Sequence, residues 1–145
     1  MSKFDNIPLE MREYPNWVLA DKHKIPHNVR GGFAKVNAPS TWGAYDQTVA
    51  KYNKGGYAGI GFVFGNSPFA GVDIDNCYDP ETQAFTDEAV DIITTLDSYS
   101  EFSQSGRGVH VIVKGRIPGR WRRRGNVEMY DSGSARYFIM TGDFI

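Results

Sequence analysis

Apolar positions recur along the chain in two rhythms: short runs or alternations of the kind strands make, and stripes at helical spacing. Trp17–Ala20 (WVLA) reads as a short strand, followed by KIPHNVRGGFAKVNAPS, a loop rich in Pro, Gly and Asn. Ser40 or Thr41 stands where a helix cap is wanted. Trp42, Tyr45, Val49 and Tyr52 follow at helical intervals, and Gly55-Gly56 ends the run. Residues 57–64 (YAGIGFVF) read as a buried strand. Residues 69–75 form a second strand, expected antiparallel to the first through the short turn 65–68. Segment 86–96 (TDEAVDIITTL) is the clearest helix. Thr86 suits its cap, acids crowd the first turn, and Ala89, Ile92, Ile93 and Leu96 make one stripe. SYSEFSQSGRG then gives a strand entering a glycine-rich loop, and VHVIV (109–113) a strand of strong β-propensity. Val127–Tyr130 and residues 136–141 close the chain as further strands. A strand–helix–strand core with additional strands predicts an α+β fold, and leaves the strand order open.

Length and charge narrow this picture only slightly. At 145 residues the chain is long enough for one domain with a real core. Its 41% hydrophobic and 14% aromatic content is that of a globular protein rather than a disordered one. Sixteen basic residues (Lys+Arg 16) against 17 acidic ones leave a net charge of −1, so only local clustering can indicate partners. The single cysteine, Cys77, rules out an internal disulfide and suits a reducing compartment. No apolar run approaches the ~20 residues of a membrane span, and the start MSKFDNIPLE lacks the apolar core of a secretion signal. The expected location is the cytoplasm, with no membrane partner.

The strand alternation exposes three pieces of chemistry. In FAGVDIDNCYD (69–79), Val72 and Ile74 alternate with Asp73 and Asp75, so two acids share one side of a strand. Their Cβ atoms lie roughly 6–7 Å apart by strand rise. Both carboxylates can therefore reach one cation, or a pair of cations ~3.5–4 Å apart, and hard oxygen donors suit Mg²⁺ or Mn²⁺. Two solvated acids at a strand end would look the same. In SQSGRGVHVIV, Ser103, Ser105, Gly106 and Gly108 form a loop whose amides and hydroxyls can wrap a phosphate. That loop delivers His110 onto a strand face as a donor to a phosphate oxygen, although an ordinary glycine turn with a hydrogen-bonded histidine fits too. In NVEMYDSG, Glu128 shares a face with Tyr130 and is a candidate third carboxylate, with Asp131 as its rival. An edge-strand glutamate facing solvent is the plain alternative.

Between the last two segments lies GRIPGRWRRRGN, in which Arg116, Arg120, Arg122, Arg123 and Arg124 fall within nine residues around Trp121. A local positive patch with an aromatic for base stacking favours a polyanionic partner, against the reading of a solvated hairpin loop.

An hhDhD strand, an S-x-G-x-G-h-H strand and an h-E-h-Y strand in this order resemble the three motifs of the archaeo-eukaryotic primase superfamily. The closer likeness is to the primase–polymerase domains of phage and plasmid replication proteins. WVLA with a loop lysine, STWGAYDQTVAKY, YAGIGFVF before VDIDNC, and RYFIMTGD extend the resemblance over roughly residues 17 to 143. It implies an RRM-like antiparallel sheet as catalytic core, with an N-terminal α/β element packed beside it. It implies metal binding by Asp73, Asp75 and Glu128, and phosphate binding by His110 with Ser105, Gly106 and Gly108. On charge and place alone, Lys35, Lys114 and Arg136 would add positive charge around the triphosphate or template. Arg120, Trp121, Arg122, Arg123 and Arg124 would hold nucleic acid. The implied activity is template-directed nucleotidyl transfer by a DNA primase/polymerase using two Mg²⁺ or Mn²⁺ ions. Its partners would be dNTP or NTP and a single-stranded DNA template with primer, in a bacterial host cell. Such domains often continue into a helical domain or a helicase, which leaves room for a helicase domain or protein outside this chain. The alternatives are a metal-dependent nuclease, which needs no triphosphate loop, and a sugar-nucleotide transferase, which gives the Arg-Trp loop no role. The remaining one is a catalytically silent, primase-like nucleic-acid-binding module.

Overall fold

The computed structural model describes residues 2–119 and 122–145, so Arg120 and Trp121 of the arginine-rich segment lie outside the described residues. After a 3₁₀ turn at Lys3–Asn6 come α1 (Leu9–Arg12), β1 (Trp17–Ala20), β2 (Pro26–His27) and α2 (Tyr45–Asn53). The chain continues through β3 (Gly59–Val63), β4 (Phe69–Ile74), β5 (Tyr78–Asp79), β6 (Ala84–Phe85) and α3 (Asp87–Leu96). It ends with β7 (Ser100–Phe102), β8 (Val109–Lys114), β9 (Arg123–Arg124), β10 (Val127–Tyr130) and β11 (Tyr137–Met140). Among the described residues the strands form two main sheets, ordered β11-β3-β1-β2 and β7-β8-β4-β10-β9, plus the small β5-β6 hairpin. Every strand pairing in them is antiparallel, which makes the fold mixed α/β with antiparallel sheets. No helix among the described residues is long and apolar enough to cross a membrane.

Two expectations from the sequence are corrected. β3 and β4 do not pair as a hairpin; they belong to different sheets. All five residues of β3 are buried and both its edges are taken, by β1 and β11, so it is a central strand with no edge left for β4. The turn hands the chain across the interface between sheets, with the Ser67 hydroxyl donating to the Phe64 carbonyl at 2.7 Å. The second correction concerns α2, which starts at Tyr45 after an Ala44 that offers no side-chain cap. Pro39–Thr41 makes only a 3₁₀ turn. Gly43 instead exchanges two backbone hydrogen bonds with Trp17 at 2.9 and 3.0 Å, holding the backbone there extended against β1. Trp42 is pinned by its Nε1 to the Lys35 carbonyl at 2.8 Å and packs with Val18, Ala34 and Val63. Gly55 and Gly56 end α2 as expected, with φ of 91° and 94°.

The two sheets meet through aromatic side chains. Trp17, Phe62, Phe64, Phe69 and Phe138 share one core, in which Phe64 and Phe138 meet edge-on at 4.9 Å. Each such ring contributes about 1.5–3 kcal/mol by leaving water. Gly71 on β4 leaves the space they need, since a Cβ there would stand 2.4 Å from Phe138 and 2.6 Å from Phe64. On the far face of the five-stranded sheet, α3 packs Ala89 against Ile74, Val109, Val111 and Val127. Its start follows the sequence reading, with the Thr86 hydroxyl accepting from the Ala89 amide at 3.2 Å. The strand alternation therefore leaves one face of β8, β4 and β10 for α3. It turns His110, Asp73 and Glu128 the other way.

Candidate metal and nucleotide site

β4 lies between β8 and β10, and the register places Asp73 opposite His110 on one side and Glu128 on the other. The same row runs outward to Glu101 on β7 and to Arg123 on β9. One line of side chains thus crosses all five strands as Glu101, His110, Asp73, Glu128, Arg123. Side chains opposite each other in adjacent antiparallel strands share a face, so this row follows from registration alone.

Asp75 follows the end of β4, tied by its amide to the Asn126 carbonyl at 2.9 Å. Among the described residues, Asp73, Asp75 and Glu128 form a group that can hold a metal ion, each offering a carboxylate oxygen within 4.8 Å of the others. Three acids this close, two of them cross-strand partners, repel one another. Burial first, then the charges of Asp75 and Glu128, push the Asp73 carboxyl above the usual aspartate range, although His110 and Lys24 oppose the shift. A divalent cation would relieve that strain, and an all-oxygen donor set fits Mg²⁺ or Mn²⁺.

His110 is fixed from both sides. Its Nδ1 lies 3.3 Å from Glu101 Oε2, its Nε2 lies 3.5 Å from Asp73 Oδ1, and its ring stacks on Phe138 at 4.5 Å. Glu101 is fully buried and also accepts from Tyr99 Oη (2.8 Å), the Thr141 amide (2.8 Å) and the Gly142 amide (3.1 Å). Burial alone would raise its pKa, but the contact with His110 and these donors outweigh it and hold the carboxyl below the ordinary glutamate value. An ionised Glu101 accepts only, so the Nδ1 proton of His110 points at it and Nε2 is left facing the acids. Glu101 was not singled out from the sequence. Its signal was the alternation in SYSEF, which becomes informative only once β7 is known to pair with β8.

A cavity of about 510 Å³ opens over this row. Asp73, Asp75 and Glu128 line it together with Ser103, Gln104 and Ser105 of the glycine loop. Lys24, Arg136 and Tyr137 come from the other sheet and its connections. Gly106 and Gly108 shape the loop rather than line the cavity. Gly106 has φ of +75°, and a Cβ on Gly108 would stand 2.8 Å from Ser103 Oγ and 3.0 Å from the Ile74 carbonyl. Arg136 lines the cavity as expected and lies over the Tyr130 ring at 5.0 Å. Tyr130 donates to Glu128, and its own pKa is pushed up to about 12 by burial and by that carboxylate.

Other expected residues lie elsewhere. Lys114, at the far end of β8, pairs with Glu10 at 2.6 Å. Lys35 is exposed on the loop that holds Trp42 and does not line the cavity. The lysine that shares the cavity with the acids is Lys24, whose charge opposes the upward shift of Asp73. Asp131, the rival ligand, is outside the acid group. It accepts from the Ile117 and Gly133 amides at 2.9 Å and pairs with Arg116 at 3.5 Å. Burial opposes its ionisation, but those amides prevail and lower its pKa. The arginine segment divides between faces. Arg123 meets Glu128 Oε1 at 2.8 Å, whereas Arg124 lines a groove on the α3 side with Val72, Val127 and Met129. Adjacent strand residues point oppositely, so these two cannot serve one surface. Arg122 is half-buried, with Nη1 donating to the Gly119 carbonyl at 3.3 Å.

No family model matches the chain. The chain is similar to a DNA primase-polymerase of Nitratiruptor phage NrS-1, 33% identical over 144 aligned residues covering 92% of this chain. It spans only 20% of that relative's length.

Proposed function

We propose that this chain is the nucleotidyl-transfer core of a DNA primase–polymerase, using an RRM-like five-stranded sheet as its platform. It would work in the cytoplasm of a bacterial host on dNTP or NTP, with a single-stranded DNA template and primer. The observation that carries this reading is the cross-strand row His110, Asp73, Glu128, joined by Asp75 into a three-carboxylate group beneath a cavity lined by Ser103, Gln104 and Ser105 of the glycine loop. The likeness to a phage DNA primase-polymerase supports the same class of reaction.

Asp73, Asp75 and Glu128 would hold a divalent pair, Mg²⁺ or Mn²⁺. Bound there, the cations would activate a 3′-hydroxyl and neutralise the leaving pyrophosphate. With Nδ1 donating to Glu101, His110 would donate from Nε2 to a phosphate oxygen as an imidazolium, the form in which both ring nitrogens carry protons. The hydroxyls of Ser103 and Ser105 offer further donors to the triphosphate. Lys24 and Arg136 add positive charge from the opposite wall. The primer oxygen bonds to the α-phosphorus as the bond to pyrophosphate breaks, and the hydroxyl proton leaves to solvent. The protein contributes positioning and charge rather than a covalent intermediate.

The test is extension of a labelled primer–template, and primer-free synthesis on single-stranded DNA, with Mg²⁺ or Mn²⁺. The Asp73→Ala/Asp75→Ala double variant is run in parallel. Product from the wild type alone supports the reading. Template cleavage would assign a nuclease, and DNA retention without product from either protein would assign a silent binding module.

A further inference from the structure

Residues 22–35 carry four cations, Lys22, Lys24, Arg30 and Lys35, two histidines and no acid. The acid just before them, Asp21, is fully engaged. Its Oδ2 meets His27 Nε2 at 2.8 Å, and its Oδ1 accepts from the His23 and Ile25 amides. Among the described residues no ion pair involves Lys22, Lys24 or Lys35. In a chain of net charge −1 this is a concentrated positive surface.

The same segment displays an aromatic platform. Phe33 is 68% exposed, and its ring lies 5.0 Å from that of His27, which meets Tyr57 at 5.7 Å. Phe33 is not on a loose loop. It is bridged to His27, and hydrogen bonds from Ala34 to Pro26 (3.0 Å) and Asn28 to Gly32 (2.9 Å) fix the hairpin. A single exposed phenylalanine is ordinary. One held on a histidine, amid unpaired lysines and with its neighbouring acid, Asp21, already engaged by His27 and two backbone amides, is the arrangement that stacks a base and tracks a phosphate backbone. The platform also adjoins the acid cavity, because Lys24 lines that cavity and its carbonyl accepts from Tyr137 Oη at 2.5 Å.

We propose that the Phe33–His27 platform, with Lys22 and Lys24, is a second single-strand nucleic-acid site that stacks an unpaired template base and leads the strand towards the acid cavity. It lies on the N-terminal sheet, whereas the arginine segment flanks the other sheet. The inference rests on nucleic acid being the partner, as proposed above.

The test is binding of fluorescein-labelled oligothymidylate to the full chain in EDTA, followed by anisotropy, for wild type, Phe33→Ala, Phe33→Trp and Lys22→Ala. Phe33→Ala is expected to weaken binding about tenfold. Phe33→Trp retains binding and gains tryptophan emission that the oligonucleotide quenches. Lys22→Ala lowers the salt dependence by about one phosphate contact. A 5-iododeoxyuridine oligonucleotide should crosslink within the hairpin. Because the Phe33 ring is exposed, thermal unfolding of the alanine variant should match the wild type. Unchanged affinity in Phe33→Ala with normal primer extension overturns the platform alone. A wild type that binds no oligonucleotide overturns the platform and the proposed function together.

Discussion

Glu101 and His110 face each other across β7 and β8, the buried carboxylate 3.3 Å from Nδ1 of the ring. The pair sets which nitrogen of His110 faces the acids, although neither the cavity nor solvent reaches Glu101. Glu101→Ala should therefore cost about 3–5 kcal/mol of stability, since it strips a buried partner from several donors. Glu101→Gln should cost less, about 1–3 kcal/mol, and lower extension rate without removing metal affinity. Denaturant titration and single-turnover extension measure the two effects.

The same carboxylate predicts a pH dependence. Its pKa in the folded protein lies below the ordinary value of 4.5. A depressed carboxylate stabilises the fold above its unfolded pKa, and that contribution is lost as pH falls through the folded value. Wild type should lose stability steeply below about pH 4.5, and Glu101→Gln should show a shallower acid limb in chemical denaturation.

Asp73 behaves in the opposite sense. Its raised pKa marks a charge that the metal-free fold holds at a cost. Asp73→Asn should stabilise the protein in EDTA by about 0.2–1 kcal/mol, the size of a cross-strand like-charge contact. Added Mn²⁺ should raise the melting temperature of wild type and leave that of Asp73→Asn unchanged.

Lys24 and Lys114 should separate cleanly in kinetics. Lys24→Ala is expected to raise KM for the triphosphate roughly tenfold with little change in kcat, as for a lost charge-assisted contact. Lys114→Ala, remote and paired with Glu10, should leave both parameters unchanged.

Gly71→Ala should destabilise by about 1–3 kcal/mol, because the new methyl group must displace Phe138 and Phe64. As Phe138 also supports the His110 ring, the variant should lose extension activity beyond its loss of stability.

What the sequence conveyed, and what it concealed, follows from the range of each interaction. The two-residue period of a strand showed only which neighbours share a face with Asp73, His110 and Glu128 within each strand, and their meeting across three strands was expected from the family resemblance alone. α3 was legible because Thr86 and its apolar stripe are local signals. The separation of β3 from β4 was not, because a strand buried on both faces gives no local sign of its partners, and β3 takes them from β1 and β11. Glu101 and Lys24 stayed hidden for a related reason. One gains meaning only through its register with β8, and the other through a turn that Tyr137 fastens to the cavity wall. Lys35 and Lys114 had the right charge, but charge along a chain does not report direction.

Asp73, Asp75 and Glu128 are expected to hold divalent cations jointly beside a triphosphate. Mn²⁺ binding followed by electron paramagnetic resonance, with a non-hydrolysable dNTP analogue, measures this directly in wild type, Asp73→Asn/Asp75→Asn, Glu128→Gln and Asp131→Asn. About two bound ions per wild-type chain are predicted, lost in the first two variants and retained in Asp131→Asn. Equal Mn²⁺ occupancy in wild type and the Asp73→Asn/Asp75→Asn variant would contradict the account.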